Sequence, residues 1–206
     1  VAGEEPARRK VEGAARQCDR LERLLDDLLD VSRITMGQFA LQLQDTDLSA
    51  LVREVIERSR DEASAASVTL TADIAPVVTG KWDRLRLEQL VTNLVCNAIK
   101  YGDAQPVHVV LTADSETARL FVRDNGIGIS AADLTRIFER FERTAQRNDR
   151  DGLGLGLYIA RQIVLAHRGS IEVDSELGAG ATFSVTLPRE APALAGPPLR
   201  CPGGQL

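Results

Sequence analysis

The spacing of apolar residues changes along this chain, and each change marks a different element. From about Ala7 to Met36, the residues Val11, Ala14, Cys18, Leu21, Leu25 and Leu28 recur at alternating steps of three and four, with Leu24 and Val31 widening the stripe. That period describes a heptad-like seam on one long helix with Arg, Glu and Asp on its outside. A seam this narrow predicts a partner helix, in a hairpin or a dimer; an amphipathic helix packed on its own domain is the alternative. Gly37 is the expected helix end.

Beyond Gly37 the periods alternate between those of strand and helix. Phe39-Ala-Leu-Gln-Leu43 predicts a short strand, and Asp47 or Ser49 then caps a helix to about Ala66 with Leu48, Leu51, Val52, Val55 and Ile56 inside. Val68 to Ile74 alternates as a strand, and Gly80 reads as a breaker. Asp83 caps a third helix to about Tyr101, in which Leu87, Leu90, Val91, Leu94, Val95 and Ala98 follow the helical period. Val107 to Ala113 and Ala118 to Asp124, joined by a polar turn, predict an antiparallel hairpin. Ser130 with Asp133 resembles a capping box for a short helix ending near Phe138. The charged stretch Glu139 to Asp151 is too polar for core. Gly152 to Leu157 opens a helix to His167, and strands Ser170 to Ser175 and Ala181 to Leu187 follow.

The sum is an α/β fold: a two-layer sandwich with a mixed sheet of about five strands and three main helices, behind one long helix. Domain boundaries are expected near 36 and 188. From Arg189 the composition turns to Pro, Gly and Ala, which predicts a disordered tail to 206.

Composition narrows the function. At 44% hydrophobic residues a sizeable core can form, and a formal charge of −5 argues against a nucleic-acid surface. Cys18, Cys96 and Cys201 are odd in number and far apart, which argues against a disulfide framework or a zinc site and for a reducing compartment. No apolar stretch approaches the length of a membrane span, so membrane contact by this segment is not expected. The first residue is Val, which reads as part of a longer polypeptide.

Three features carry candidate chemistry. On the third helix Asn93, Asn97, Lys100 and Tyr101 share one face, an arrangement costly to bury unless something polar lies opposite. A nucleotide suits it: an amide oxygen can ligate Mg²⁺, an ammonium can meet phosphate, and an aromatic ring can lie beside a base. Asp124-Asn-Gly126-Ile-Gly128 breaks a strand into a loop whose backbone can approach a ligand closely, although a plain turn has the same composition. Gly152-Leu153-Gly154-Leu155-Gly156 lacks the Lys-Ser/Thr of a P-loop, but it opens directly onto a helix N-terminus, where phosphates bind. Gly178 and Gly180 read as turn chemistry with a packing role near the site.

In this order, the asparagine stripe from Asn93 to Tyr101, Asp124 to Gly128, Phe138-Glu-Arg-Phe141-Glu-Arg143, the glycine string 152–156 and Gly178-Ala-Gly180-Ala-Thr182-Phe183 resemble the asparagine, phenylalanine and glycine boxes of bacterial sensor histidine kinases. The opening helix resembles the second helix of that family's dimerisation hairpin. The resemblance implies a Bergerat-type ATP fold over residues 37–188, with 1–36 as half of the hairpin. It also implies roles. Asp124 would accept from the adenine amino group and Asn97 would ligate Mg²⁺. Asn93 belongs to the same polar face, Lys100 and Arg143 would approach the phosphates, and Tyr101 would flank adenine. Gly126 and Gly128 would let the backbone close on the base. Residues 152–156 would set the lid and helix start against the triphosphate, 139–151 would form a mobile lid, and Thr182 would complete the nucleotide pocket.

Two departures shape the expectation. The family's phospho-acceptor His lies on a first hairpin helix that this sequence lacks. His108 sits in an alternating strand and His167 at a helix end where an imidazole commonly caps carbonyls, so both are expected to be structural. The related gyrase, mismatch-repair and chaperone ATPases carry Glu where this chain has Asn93, and an amide cannot take a proton from water. The expected activity is therefore phosphoryl transfer from ATP to a His on a partner helix, feeding a response regulator, by a cytoplasmic chain that cannot phosphorylate itself. A degenerate nucleotide-binding or dimerisation module and a hydrolytic ATPase of the same fold are the alternatives.

Overall fold

The computed structural model describes residues 21–142, except Arg23, and 153–190. Helix α1, described at 21–22 and 24–35, gives way at Gly37, whose φ of +67° suits a residue without a side chain. After an irregular connector come β1 (Gln44–Asp47), α2 (Leu48–Arg58), α3 (Arg60–Ala65), β2 (Leu70–Ile74), β3 (Thr79–Trp82), α4 (Arg84–Tyr101), β4 (Val107–Ala113) and β5 (Thr117–Arg123). The short α5 (Ala131–Leu134), α6 (Gly156–Ala166), β6 (Ser170–Ser175) and β7 (Ala181–Pro188) complete the order.

The main sheet has five strands in the order β2-β4-β5-β7-β6, with β2 parallel to β4 and every other pairing antiparallel. Helix α4 provides the crossover from β2 to β4 and packs between α2 and α6 on one face of the sheet. Strand alternation sets the layers. Val107, Val109 and Leu111 of β4, Ala118, Leu120 and Val122 of β5, and Ala181, Phe183, Val185 and Leu187 of β7 are buried. Leu87, Leu90, Val91, Leu94, Val95 and Ala98 of α4 join the same core. The observed architecture is the expected mixed-sheet, two-layer α/β sandwich.

Capping is local and follows the sequence. Asp47 and Asp83 accept from the backbone N–H of Ala50 and Arg86, both at 3.1 Å, and Ser130 accepts from Asp133 N at 3.2 Å. His167 does more than cap. Its Nδ1 donates to Ile163 O at 2.8 Å and its Nε2 accepts Asp83 N–H at 3.0 Å, so a neutral imidazole ties the end of α6 to the start of α4. Burial pushes its pKa below the ordinary 6.5. His108 pairs with Asp73 on the outer face of the sheet at 2.9 Å.

Several expectations need correction. Phe39 to Leu43 is not a strand. Phe39 packs against the core, Gln42 N donates to Asp83 Oδ2 at 2.9 Å and Leu43 is exposed, so the segment is anchored without strand pairing. Strand β1 begins only at Gln44 and pairs with β3 in a separate two-stranded sheet. Gly80 lies inside β3 rather than breaking the chain, and its missing side chain leaves room for the Trp82 ring, which a Cβ would approach to 2.6 Å. The helix predicted to reach Ala66 is interrupted at Ser59, whose Oγ donates to Val55 O at 2.8 Å. The helix after Ser130 ends at Leu134, short of Phe138.

Arg189 belongs to the folded unit and not to a tail: its N donates to Glu116 O, and its own carbonyl accepts from Lys81 N, both at 2.8 Å. The seam residues Val11, Ala14 and Cys18, together with Arg143, Gly152, the lid span 143–151 and the tail from Ala191, lie outside the described residues.

Helix α1 divides its apolar residues between two faces. Val31 and Ile34 pack against the core, whereas Leu21 and Leu25 are 60% exposed, and Leu28 and Leu29 are also exposed. One face is used by the chain's own domain, and the other presents apolar surface to solvent.

Candidate nucleotide-binding site

Asp124 directly follows β5 and is 4% exposed. Its N donates to Ala181 O at 2.9 Å, and its Oδ1 accepts from Gly126 N at 3.0 Å and from Ala181 N at 3.3 Å. Burial raises the pKa above the ordinary 3.8, and the backbone donors partly oppose that shift. Both side-chain bonds fall on one oxygen and come from neutral groups. The geometry is that of a desolvated acceptor held in a fixed orientation.

Glycines let the backbone segments of the floor pack together. A Cβ on Gly126 would stand 1.9 Å from Tyr101 O, so the loop after β5 lies directly on the end of α4, and Ile127 N donates to the same carbonyl at 3.2 Å. Gly128 has φ +67° and a Cβ there would meet Glu176 O at 2.0 Å; Gly180 has φ +82° and would meet Asp124 O at 2.2 Å. Gly180 is thus part of the floor, and Gly178, with open space around it, is turn chemistry. Ser175 also belongs to the site, although no motif singles it out. Its Oγ accepts from Ile129 N at 2.9 Å and donates to Gly180 O at 2.6 Å, joining the loop to the β6–β7 turn. Its place at a strand end before a glycine pair was the available signal.

One wall is the polar stripe of α4. Asn93 and Asn97 are half-buried, and Asn93 Nδ2 donates to Gly156 O at 3.1 Å, tying the stripe to the first residue of α6. The Lys100 ammonium lies 5.3 Å from the centre of the Tyr101 ring. The start of α6 forms the remaining side. Leu155 occupies its cap position without a side-chain acceptor, which leaves the first N–H groups of the helix to other partners. Gly154 has φ +71°, and its carbonyl accepts from Phe141 N at 3.1 Å.

Two predicted contacts are placed differently. Thr182 pairs across the sheet with Arg123 and Asp174, so it lies on the outer face, and Ala181 shares the face of Asp124. The Leu155 side chain is buried at 1% exposure in the core, leaving only its backbone toward a ligand, whereas Leu153 is exposed.

Known proteins resemble this arrangement. The profile of the family described as histidine kinase-, DNA gyrase B- and HSP90-like ATPase matches residues 82–191. Sensor histidine kinase MtrB of Mycobacterium leprae is 36% identical over 185 residues, covering 88% of this chain and 33% of that protein. Sensor histidine kinase RppB of Synechocystis is 38% identical over 177 residues, covering 84% of this chain and 39% of that protein. The chain therefore spans only a third or slightly more of the length of these relatives. Among solved structures, full-length ShkA in complex with AMPPNP superimposes with a TM-score of 0.76 at 31% identity, over 90% of this chain and 40% of that one. The mycobacterial sensor histidine kinase MprB gives 0.65 at 29% identity, over 71% of this chain and 99% of that one.

Proposed function

This chain belongs to the histidine kinase-, DNA gyrase B- and HSP90-like ATPase family, and within it we propose that the chain is the ATP-binding catalytic part of a sensor histidine kinase. The observation that carries the reading is the buried Asp124 carboxylate, oriented by two backbone N–H groups beside a floor whose backbone segments pack closely because Gly126, Gly128 and Gly180 carry no side chain. An acceptor so placed suits an exocyclic amino group on a flat base. Tyr101 stands at the edge of that floor. Lys100 and the first N–H groups of α6 suit a triphosphate, and Arg143 is a further candidate for the phosphates.

Bound Mg²⁺ would neutralise charge on the phosphates. Asn97 would hold it as a single amide ligand. Among the described residues no group of three acidic, His or Cys side chains could hold a metal alone, a donor set that suits an ion bound largely through phosphate and water. Asn93 offers no base to water, and its Nδ2 is engaged with Gly156 O, which favours transfer to a nucleophile supplied from outside over hydrolysis.

The acceptor is a His on a dimerisation helix, and the exposed leucines of α1 suit such a helix or a second copy of this chain. The parent kinase would pass the phosphoryl group to a response regulator in the cytoplasm. Among the described residues no helix is long and apolar enough to cross a membrane.

The test is incubation with γ-labelled ATP and Mg²⁺, with and without a separately supplied acceptor hairpin. Acid-labile label should appear on the hairpin and not on this chain. Steady ATP hydrolysis without the hairpin would favour the hydrolytic alternative, and no ATP binding would favour a degenerate module.

A further inference from the structure

A buried polar cluster lies outside the nucleotide site. Asp30 of α1 is 4% exposed, and its Oδ2 accepts from Arg86 Nη1 at 2.7 Å and from Gln89 Nε2 at 2.8 Å. Arg86 Nη1 also donates to Gln89 Oε1 at 2.9 Å, and its guanidinium lies 4.7 Å from the centre of the Phe39 ring. Arg33 stands at 4.0 Å from the other carboxylate oxygen. One carboxylate thus joins the stem helix, the connector and the first turns of α4.

A solvated surface pair would fix nothing. Here, however, the side chains of Asp30 and Arg86 are only 5% and 15% exposed, so water screens the pair little. Other contacts between stem and domain include weaker guides to angle. Val31 and Ile34 make non-directional apolar contacts, and Arg140 donates to Thr35 Oγ1 at 3.2 Å on the exposed surface. The connector has no regular structure over 38–43.

The position of the cluster on α4 gives it a consequence. Arg86, Gln89, Asn93 and Asn97 recur every three or four residues and line one stripe. The first half of this rigid helix grips the stem, and the second half faces the nucleotide. Gln89 and Asn97 lie about 12 Å apart along the axis. The angle between stem and α4 therefore also sets the angle between stem and phosphates.

We propose that Asp30, held by Arg86 and Gln89, is a positioning residue for phosphoryl transfer. It fixes the orientation in which the stem and its acceptor helix meet the nucleotide helix, without touching ATP. This rests on the kinase reading above.

The experiment uses the chain with its acceptor hairpin in place and the variants Asp30→Asn, Asp30→Ala and the exchange of Asp30→Arg with Arg86→Asp. Three quantities are read: ATP affinity, kcat and KM for transfer, and the rate of chymotrypsin cleavage after Phe39, Leu41 and Leu43. The single variants should lower kcat about tenfold or more, as misplacement of reacting groups does. They should leave KM and Kd for ATP within about twofold and speed connector cleavage about tenfold, with partial recovery of kcat and protection in the exchange variant.

A purely structural role would lower ATP affinity and thermal stability together, and that result overturns the proposal. So does an unchanged kcat, or a lower kcat with the connector still protected. If the exchange variant does not bind ATP it has not folded, and the nearly isosteric Asp30→Asn decides alone. If the unmodified chain binds no ATP, the kinase reading fails by itself, and connector cleavage still reports whether Asp30 holds the stem.

Discussion

Replacing Asp124 with Asn separates the recognition role of this residue from its structural one. The amide oxygen of Asn can take the place of Oδ1 and keep the Gly126 and Ala181 N–H groups, now at 3.0 and 3.3 Å. That choice forces the NH₂ group into the position of Oδ2, where a donor would confront the adenine amino donor. A hydrogen bond to a charged group contributes about 1.5–3 kcal/mol, so the loss alone weakens ATP binding roughly 10- to 150-fold. Isothermal titration with ATP and Mg²⁺ measures it. A purine with a 6-oxo group presents an acceptor at the same point, so the Asn variant should narrow or invert the preference for ATP over GTP.

The fold should not suffer. Because burial raises the Asp124 pKa above 3.8, the folded chain holds more protons than the unfolded one above that value, and stability falls as pH rises through this window. Asn removes that cost, so the variant should equal or exceed the parent in urea stability at pH 7, with an advantage that grows from acid to neutral pH. A folded Asp124→Asn protein with ATP affinity within about twofold of the parent would falsify the adenine assignment.

Further outcomes follow from the same geometry. Gly126→Ala places a Cβ 1.9 Å from Tyr101 O; it should cost about 1–3 kcal/mol or more and abolish ATP binding, read by thermal melting and titration. His167 has the opposite linkage sign to Asp124. Its depressed pKa means the unfolded chain binds the extra proton, so its contribution is full above pH 6.5 and is lost as pH falls below that value. The stability gap between the parent and His167→Gln should therefore shrink from pH 7.5 to 5.5, and a constant gap would contradict the neutral clip. Leu94→Ala, at a site with 0% exposure beneath the amide stripe, should cost about 2–5 kcal/mol in urea unfolding.

The sequence by itself determined what local interactions decide. Helix α4, its Asp83 cap and its end at Tyr101 are written in a 3.6-residue period and one carboxylate. The alternation of β4, β5 and β7 likewise fixes which residues face the core, and the break at Asp124 marks where β5 stops. Tertiary structure decided the questions that turn on one residue of register or on neighbours distant in the chain. Strand pairing puts Ala181, not Thr182, beside Asp124, because successive strand residues point to opposite faces. Gly180 belongs to the floor because the Asp124 carbonyl lies against it, and Ser175 because the β6–β7 turn reaches the loop after β5. Phe39 to Leu43 alternates like a strand yet serves as an anchored connector. Asp30 reads as one more polar residue on a helical seam until the fold buries it against Arg86 and Gln89. Periods and caps report the forces acting within a turn or two of chain, whereas desolvation and close approach are set by what the fold brings alongside.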